Sequence, residues 1–230
     1  MKGIAILMTC MVVMISLFIS CSQVEDDPID VSNQFYTDMV TVGINKQSKI
    51  YFTHDNGDKF MASSLDSGLA FVWGSRLLLT YSFKPPKETD NEGYYHIIPK
   101  GYQRVYNSYP IVPANMDSLI LPALDPVKVE SLWTGNAFLN MAITYDYYII
   151  PHVVLLIEKS CDTISANHSV TFDFFHSKAY DTSGMFTRNY LSFSLNRYRT
   201  ADDAPLSVHV NVLTEDSVWT SYERQITWPK

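Results

Sequence analysis

The sequence predicts an all-β protein, and three observations carry that prediction. Apolar residues come in short runs that alternate with polar ones, as half-buried strands require. Aromatic residues are abundant, with 15 Tyr and 12 Phe, while only 9 Gly occur, and rings pack well on a pleated surface. No stretch keeps an apolar period of 3.6 residues long enough for an amphipathic helix.

The first element is not a strand. Met1-Lys2-Gly3 supplies one positive charge, Ile4 to Phe18 is almost wholly apolar, and Ile19-Ser20-Cys21 follow. A charged start, a short apolar core and a small residue before a cut make a bacterial secretion signal over residues 1–20. The apolar run is short for a bilayer span, which needs about 20 such residues. Phe18-Ile19-Ser20-Cys21 resembles the lipobox of bacterial lipoproteins, with Phe18 where Leu is usual. That resemblance implies acylation of the Cys21 thiol and cleavage just before it, so the chain is expected to be anchored to a membrane rather than to cross it. Residues 21–34 are polar, contain Pro28 and read as a flexible tether. Glu25, Asp26 and Asp27 resemble the signal that sends lipoproteins of Bacteroidota to the outer face. They suit a solvated tether equally well. An outer-membrane lipoprotein exposed at the cell surface is the expected localisation.

Residues 35–115 are expected to form a first domain. Residues 35–44 alternate, with Tyr36, Met39 and Val42 among polar neighbours. Residues 48–64 read as a hairpin around Asn56-Gly57, a strong turn signal. Residues 75–84 form a strand ended by Pro85-Pro86, and 84–93 a polar loop. Residues 94–112 hold further strands, limited by Pro99 and Pro110 to edges or bends. The segment 62–72 fits either a short helix or an irregular turn. A proline-rich break at 113–126 suggests a boundary, and residues 116–230 a second domain. Seven strands are expected there, at 127–134, 136–148, 152–159, 168–180, 188–198, 205–215 and 217–228. Seven strands with regular turn signals predict an immunoglobulin-like β-sandwich. Within it Leu206, Val208, Val210 and Val212 face one way, and Ser207, His209 and Asn211 the other.

The lipobox, the segment 38–65 with Val40-Thr41-Val42 and Asn56-Gly57, and the segment 124–145 with Asp125-Pro126-Val127 and Trp133 together resemble the NigD-like lipoproteins of Bacteroidota. The resemblance spans nearly the whole chain after the signal. It implies an N-terminal OB-like barrel followed by a C-terminal β-sandwich. The family name comes from a bacteriocin operon, so the resemblance also implies a possible immunity role.

Little in the sequence points to catalysis. The six histidines, at 54, 96, 152, 168, 176 and 209, form no metal-binding spacing, and His168 and His176 are expected at the rim of a sheet. No Gly-x-Ser-x-Gly occurs. With Cys10 in the signal and Cys21 acylated, Cys161 is the one remaining thiol and reads as a plain small residue. Asp202-Asp203 reads as a solvated loop. No catalytic, metal or cofactor residue is expected. The formal net charge of −7 argues against nucleic acid as a partner. A non-enzymatic binding or protective role, with a protein or glycan partner, is the reading that remains. Tyr94, Tyr95, Tyr102, Tyr106 and Tyr109 cluster in one segment. They are expected in the barrel core or the seam between domains. Should a glycan bind, Tyr102 and Tyr106 are the candidates to stack on it.

Overall fold

The computed structural model describes residues 34–64, 69–114, 120–162 and 168–228. The expected signal, the acylated Cys21 and nearly all of the tether lie outside the described residues, as does the centre of the 62–72 segment.

Five strands close into a barrel: β1 (Tyr36–Ile44), β2 (Ile50–His54), β3 (Lys59–Ala62), β4 (Arg76–Phe83) and β5 (Tyr94–Arg104). Their order around the ring is β1-β2-β3-β5-β4, with β3 and β5 parallel and β4 closing on β1. This is the OB-like arrangement. Alternation decides which side chains fill it: Val40, Val42, Phe52, Phe60, Leu77 and Leu79 point inward and meet Tyr81, Phe83 and Ile97. The β2–β3 turn forms where Asn56-Gly57 predicts it. The Asn56 side-chain oxygen accepts the Asp58 N–H at 2.8 Å, and Gly57 takes φ 96°, which few side chains tolerate. Pro99 sits inside β5 opposite Tyr81, where the register with β4 shifts. At such a bulge its missing N–H breaks no ladder bond.

The sandwich holds all seven expected strands: β7 (Lys128–Gly135), β8 (Phe138–Tyr147), β9 (Val153–Asp162), β10 (Ser169–Ser177), β11 (Met185–Ser194), β12 (Leu206–Leu213) and β13 (Trp219–Ile226). An eighth, β6 (Tyr106–Ser108), precedes them. The two sheets run β13-β12-β10-β9 and β6-β11-β8-β7, and each contains one parallel pair, β10 with β12 and β6 with β11. Leu139, Met141, Phe172, Phe174, Phe193 and the Leu206–Val212 stripe form the core between them. The chain enters the sandwich earlier than the expected start at residue 116. β6 already pairs with β11, and Ile111 exchanges backbone hydrogen bonds with Leu156 and Glu158 of β9. The three prolines of 113–126 thus lie beyond the first sandwich contacts.

Arg76, the first residue of β4, joins the domains. It is 1% exposed. Its guanidinium meets Asp55 Oδ1 at 2.7 Å and donates to Thr41 Oγ1, both on the barrel. It also donates to Ser192 Oγ and Asn140 Oδ1 on the sandwich, each at 3.0 Å, and lies 4.3 Å from the centre of the Phe138 ring. Ser192 donates to Asn140, and Asn140 to Asp55, which closes the network. Gly135 packs so closely on Asp55 that a Cβ there would overlap the Asp55 side chain.

Candidate functional site

β8 starts at Phe138, under Arg76, and ends at Tyr147. Ten residues at about 3.3 Å each carry it roughly 30 Å from the seam. The β8–β9 and β10–β11 loops at this far end, with the first residues of β11, carry an unusual set of solvent-facing apolar side chains. Tyr148 and Ile149 are 63% and 68% exposed, Tyr180 90%, Met185 78% and Phe186 81%. Single exposed apolar residues are ordinary, but here several gather at one end of the sandwich.

These loops are held by buried polar groups. The Asp181 carboxylate accepts the backbone N–H groups of Tyr148, Ile149 and Ile150 at 2.8–3.1 Å. Burial would raise its carboxyl, yet these donors and His152 outweigh that and hold it far below the usual carboxylate range. His152 Nε2 lies 3.2 Å from Asp181, and His152 Nδ1 lies 2.9 Å from His176 Nε2. His176 Nδ1 donates to the Asp125 carbonyl at 3.1 Å. His176 Nε2 is then left to accept, facing His152 Nδ1. Tyr145 stacks on His152 with ring centres 4.6 Å apart and lies 4.7 Å from His176.

His176 is therefore not a rim residue. It is 3% exposed, and its sequence neighbours gave no sign of partners 24 residues away, at His152. Burial pushes its imidazole down to about 4 from an ordinary 6.5. Asp125, His152, Lys178 and Tyr145 surround it. Between those values the unfolded chain binds a proton that the folded chain does not. Stability is thus full above about 6.5 and falls as the pH drops towards 4. A loss of about 2 kcal/mol at pH 5 relative to pH 7.5 is expected from urea unfolding. A His176→Gln variant should flatten this slope, and an unchanged slope would contradict the assignment.

The other sequence candidates fall elsewhere. Tyr102 packs on Phe71, and its hydroxyl donates to the Ala70 carbonyl at 2.7 Å. It lines a cleft of about 410 Å3 that also contains Trp73, Arg104 and Asn107. Tyr106 belongs to β6, sets its ring edge-on to Phe193 and donates to the Val154 carbonyl. The structure does not bring Tyr102 and Tyr106 onto one element. Tyr95 packs against the barrel core, while Tyr109 is exposed. Cys161 is exposed near the end of β9, where partial burial and the charge of Glu158 push its thiol up, away from the thiolate a nucleophile needs. Asp203 is paired with Arg199. Among the described residues no group of three or more His, Cys, Asp or Glu side chains is placed to hold a metal ion. No described helix is long and apolar enough to cross a membrane.

Residues 110–226 match the family model of the NigD-like C-terminal beta sandwich domain. The chain belongs to the NigD-like family. The match covers the whole NigD-like tip, from Tyr148 to Phe186, and begins close to β6, in keeping with the early start of the sandwich. Solved structures share the fold. A NigD-like immunity protein from Bacteroides caccae superposes with a TM-score of 0.59 at 21% identity, over 82% of this chain and 91% of its own. A candidate toxin-related protein from Parabacteroides distasonis reaches 0.70 at 16% identity, over 84% and 94%. A candidate lipoprotein from Bacteroides fragilis reaches 0.61 at 10% identity, over 86% and 100%. None of the curated proteins compared with the chain matches it.

Proposed function

We propose that this protein is a lipid-anchored lipoprotein of the outer membrane, exposed at the cell surface, that binds a protein and does not catalyse. The observation that carries this reading is the apolar tip, with exposed rings and aliphatic chains on loops held by the buried Asp181. A preorganised apolar surface loses little entropy on binding. The tip also lies at the far end of β8 from the barrel, and β1 begins at the end of its own strand away from Arg76. Exposed rings and aliphatic chains on neighbouring loops suit a protein partner. A structural neighbour described as an immunity protein supports a protective role, such as neutralising a bacteriocin, and one described as a lipoprotein supports the anchor.

Deleting the gene and challenging cells with the cognate bacteriocin tests the role. Survival should fall and be restored by the wild-type chain. The double variant Met185→Ser/Phe186→Ser should melt like the parent, since both side chains are exposed, yet restore less than about a tenth of the protection. Equal protection by this variant would remove the tip from the account. Cys21→Ala should abolish palmitate labelling and envelope association. Retention of either would remove the anchor.

A further inference from the structure

The outer face of the β13-β12-β10-β9 sheet carries a second constellation, made of other residues than the tip and built wholly on strands. A shallow pocket of about 360 Å3 is lined by Lys159, Asp173, Asn211 and Trp219. Sheet register explains how these residues meet. Asp173 of β10 stands beside Asn211 of β12, and Asn211 Nδ2 donates to Asp173 Oδ1 at 2.9 Å. On β9, Glu158 pairs with Phe172 and Ser160 with Thr171, so Lys159 is the extra residue of a bulge. Bulges re-aim side chains. This one brings the Lys159 ammonium to 3.1 Å from Asp173 Oδ2. On β13, Trp219 stands opposite Leu213, two residues from Asn211 on the same face, and remains 51% exposed.

We infer that this face is a binding site for a neutral, hexopyranose-containing oligosaccharide. The apolar C–H face of a pyranose suits the electron-rich face of an indole ring. Its hydroxyls need donors and acceptors at fixed positions beside that ring. Asn211 keeps its amide oxygen and a second amide proton, and Lys159 keeps further ammonium protons. The Asp173 charge is balanced by Lys159, so the pocket offers polarity without net charge, which favours a neutral sugar over an anion. Because every member sits on a strand, the geometry is set before binding. The volume lies within the ordinary range of small-ligand pockets, about 300–1,000 Å3. Neither Tyr102 nor Tyr106 takes part, since Tyr102 lines a different cleft and Tyr106 lies in the other sheet.

The test is calorimetric titration of the full chain, in detergent micelles, with maltohexaose, cellohexaose and mannohexaose, and with a hexauronate for comparison. Saturable binding of at least one neutral hexamer, stronger than of the hexauronate, is expected. Trp219→Ala and Asn211→Ala should each weaken it about tenfold or more, with melting temperatures close to the parent's. Tyr102→Phe and the Met185→Ser/Phe186→Ser variant should bind as the parent does, which separates this site from the proposed protein-binding tip. No binding of any neutral hexamer, preference for the uronate, or undiminished binding by Trp219→Ala would each overturn the inference.

Discussion

Replacing Arg76 by Met is expected to lower the stability of the fold by about 3–5 kcal/mol, the cost of removing one partner from a buried ion pair. Methionine fills much of the same volume but leaves Asp55 as an uncompensated charge beside Thr41, Asn140 and Ser192. Asn140 and Ser192 are fully buried and would lose a donor each. Urea unfolding followed by tryptophan fluorescence checks the magnitude. The double variant Arg76→Met/Asp55→Asn should recover part of the loss, because the stranded charge is then absent. A single-variant loss below about 1 kcal/mol would mean that water reaches this seam. Because Arg76 bonds to both domains, the single variant should also open proteolytic cleavage between residues 104 and 110 while each domain still gives a β-sheet spectrum.

The sequence showed the strands well because each one buries a single face. The Leu206–Val212 stripe and the alternation in β1 needed nothing beyond a period of two. Asn56-Gly57 fixed the β2–β3 hairpin because its turn chemistry is local. What escaped was non-local. β6 is three residues long and too short to show a period, so the domain boundary was drawn late. The parallel pairing of β10 with β12 depends on the path of the chain between strands, which alternation does not encode. Arg76 read as an ordinary strand-end cation, since its partners at 41, 55, 140 and 192 come together only in the fold. The same holds for the tip. His152, His176 and Asp181 are separated by 24 and 29 residues in the contacts that count, and the usual metal and triad spacings are blind to them. A weak signal did exist: Tyr148-Ile149-Ile150 and Met185-Phe186 are apolar pairs or triplets at strand ends, where polar turn residues are the rule.

Replacing Asp181 by Ala should loosen the tip more than any other single change there. Its carboxylate is the shared acceptor for three consecutive backbone N–H groups and for His152. Alanine offers none of these, and the nearby Asp146 of β8 already accepts the Gly184 N–H. Amide exchange at Tyr148, Ile149 and Ile150 should therefore quicken roughly ten- to a hundredfold, with the melting temperature falling by roughly 5 °C or more. Asp181→Asn keeps one acceptor oxygen and should fall between the two. His152 would lose its Asp181 partner at Nε2, so its ring resonances should also shift. Barrel amides of β1 and β4, about 30 Å or more away, should keep their protection. Protection of Tyr148–Ile150 unchanged in Asp181→Ala would show that the loops stand without this carboxylate, and the preorganisation on which binding at the tip depends would then have to come from the apolar side chains themselves.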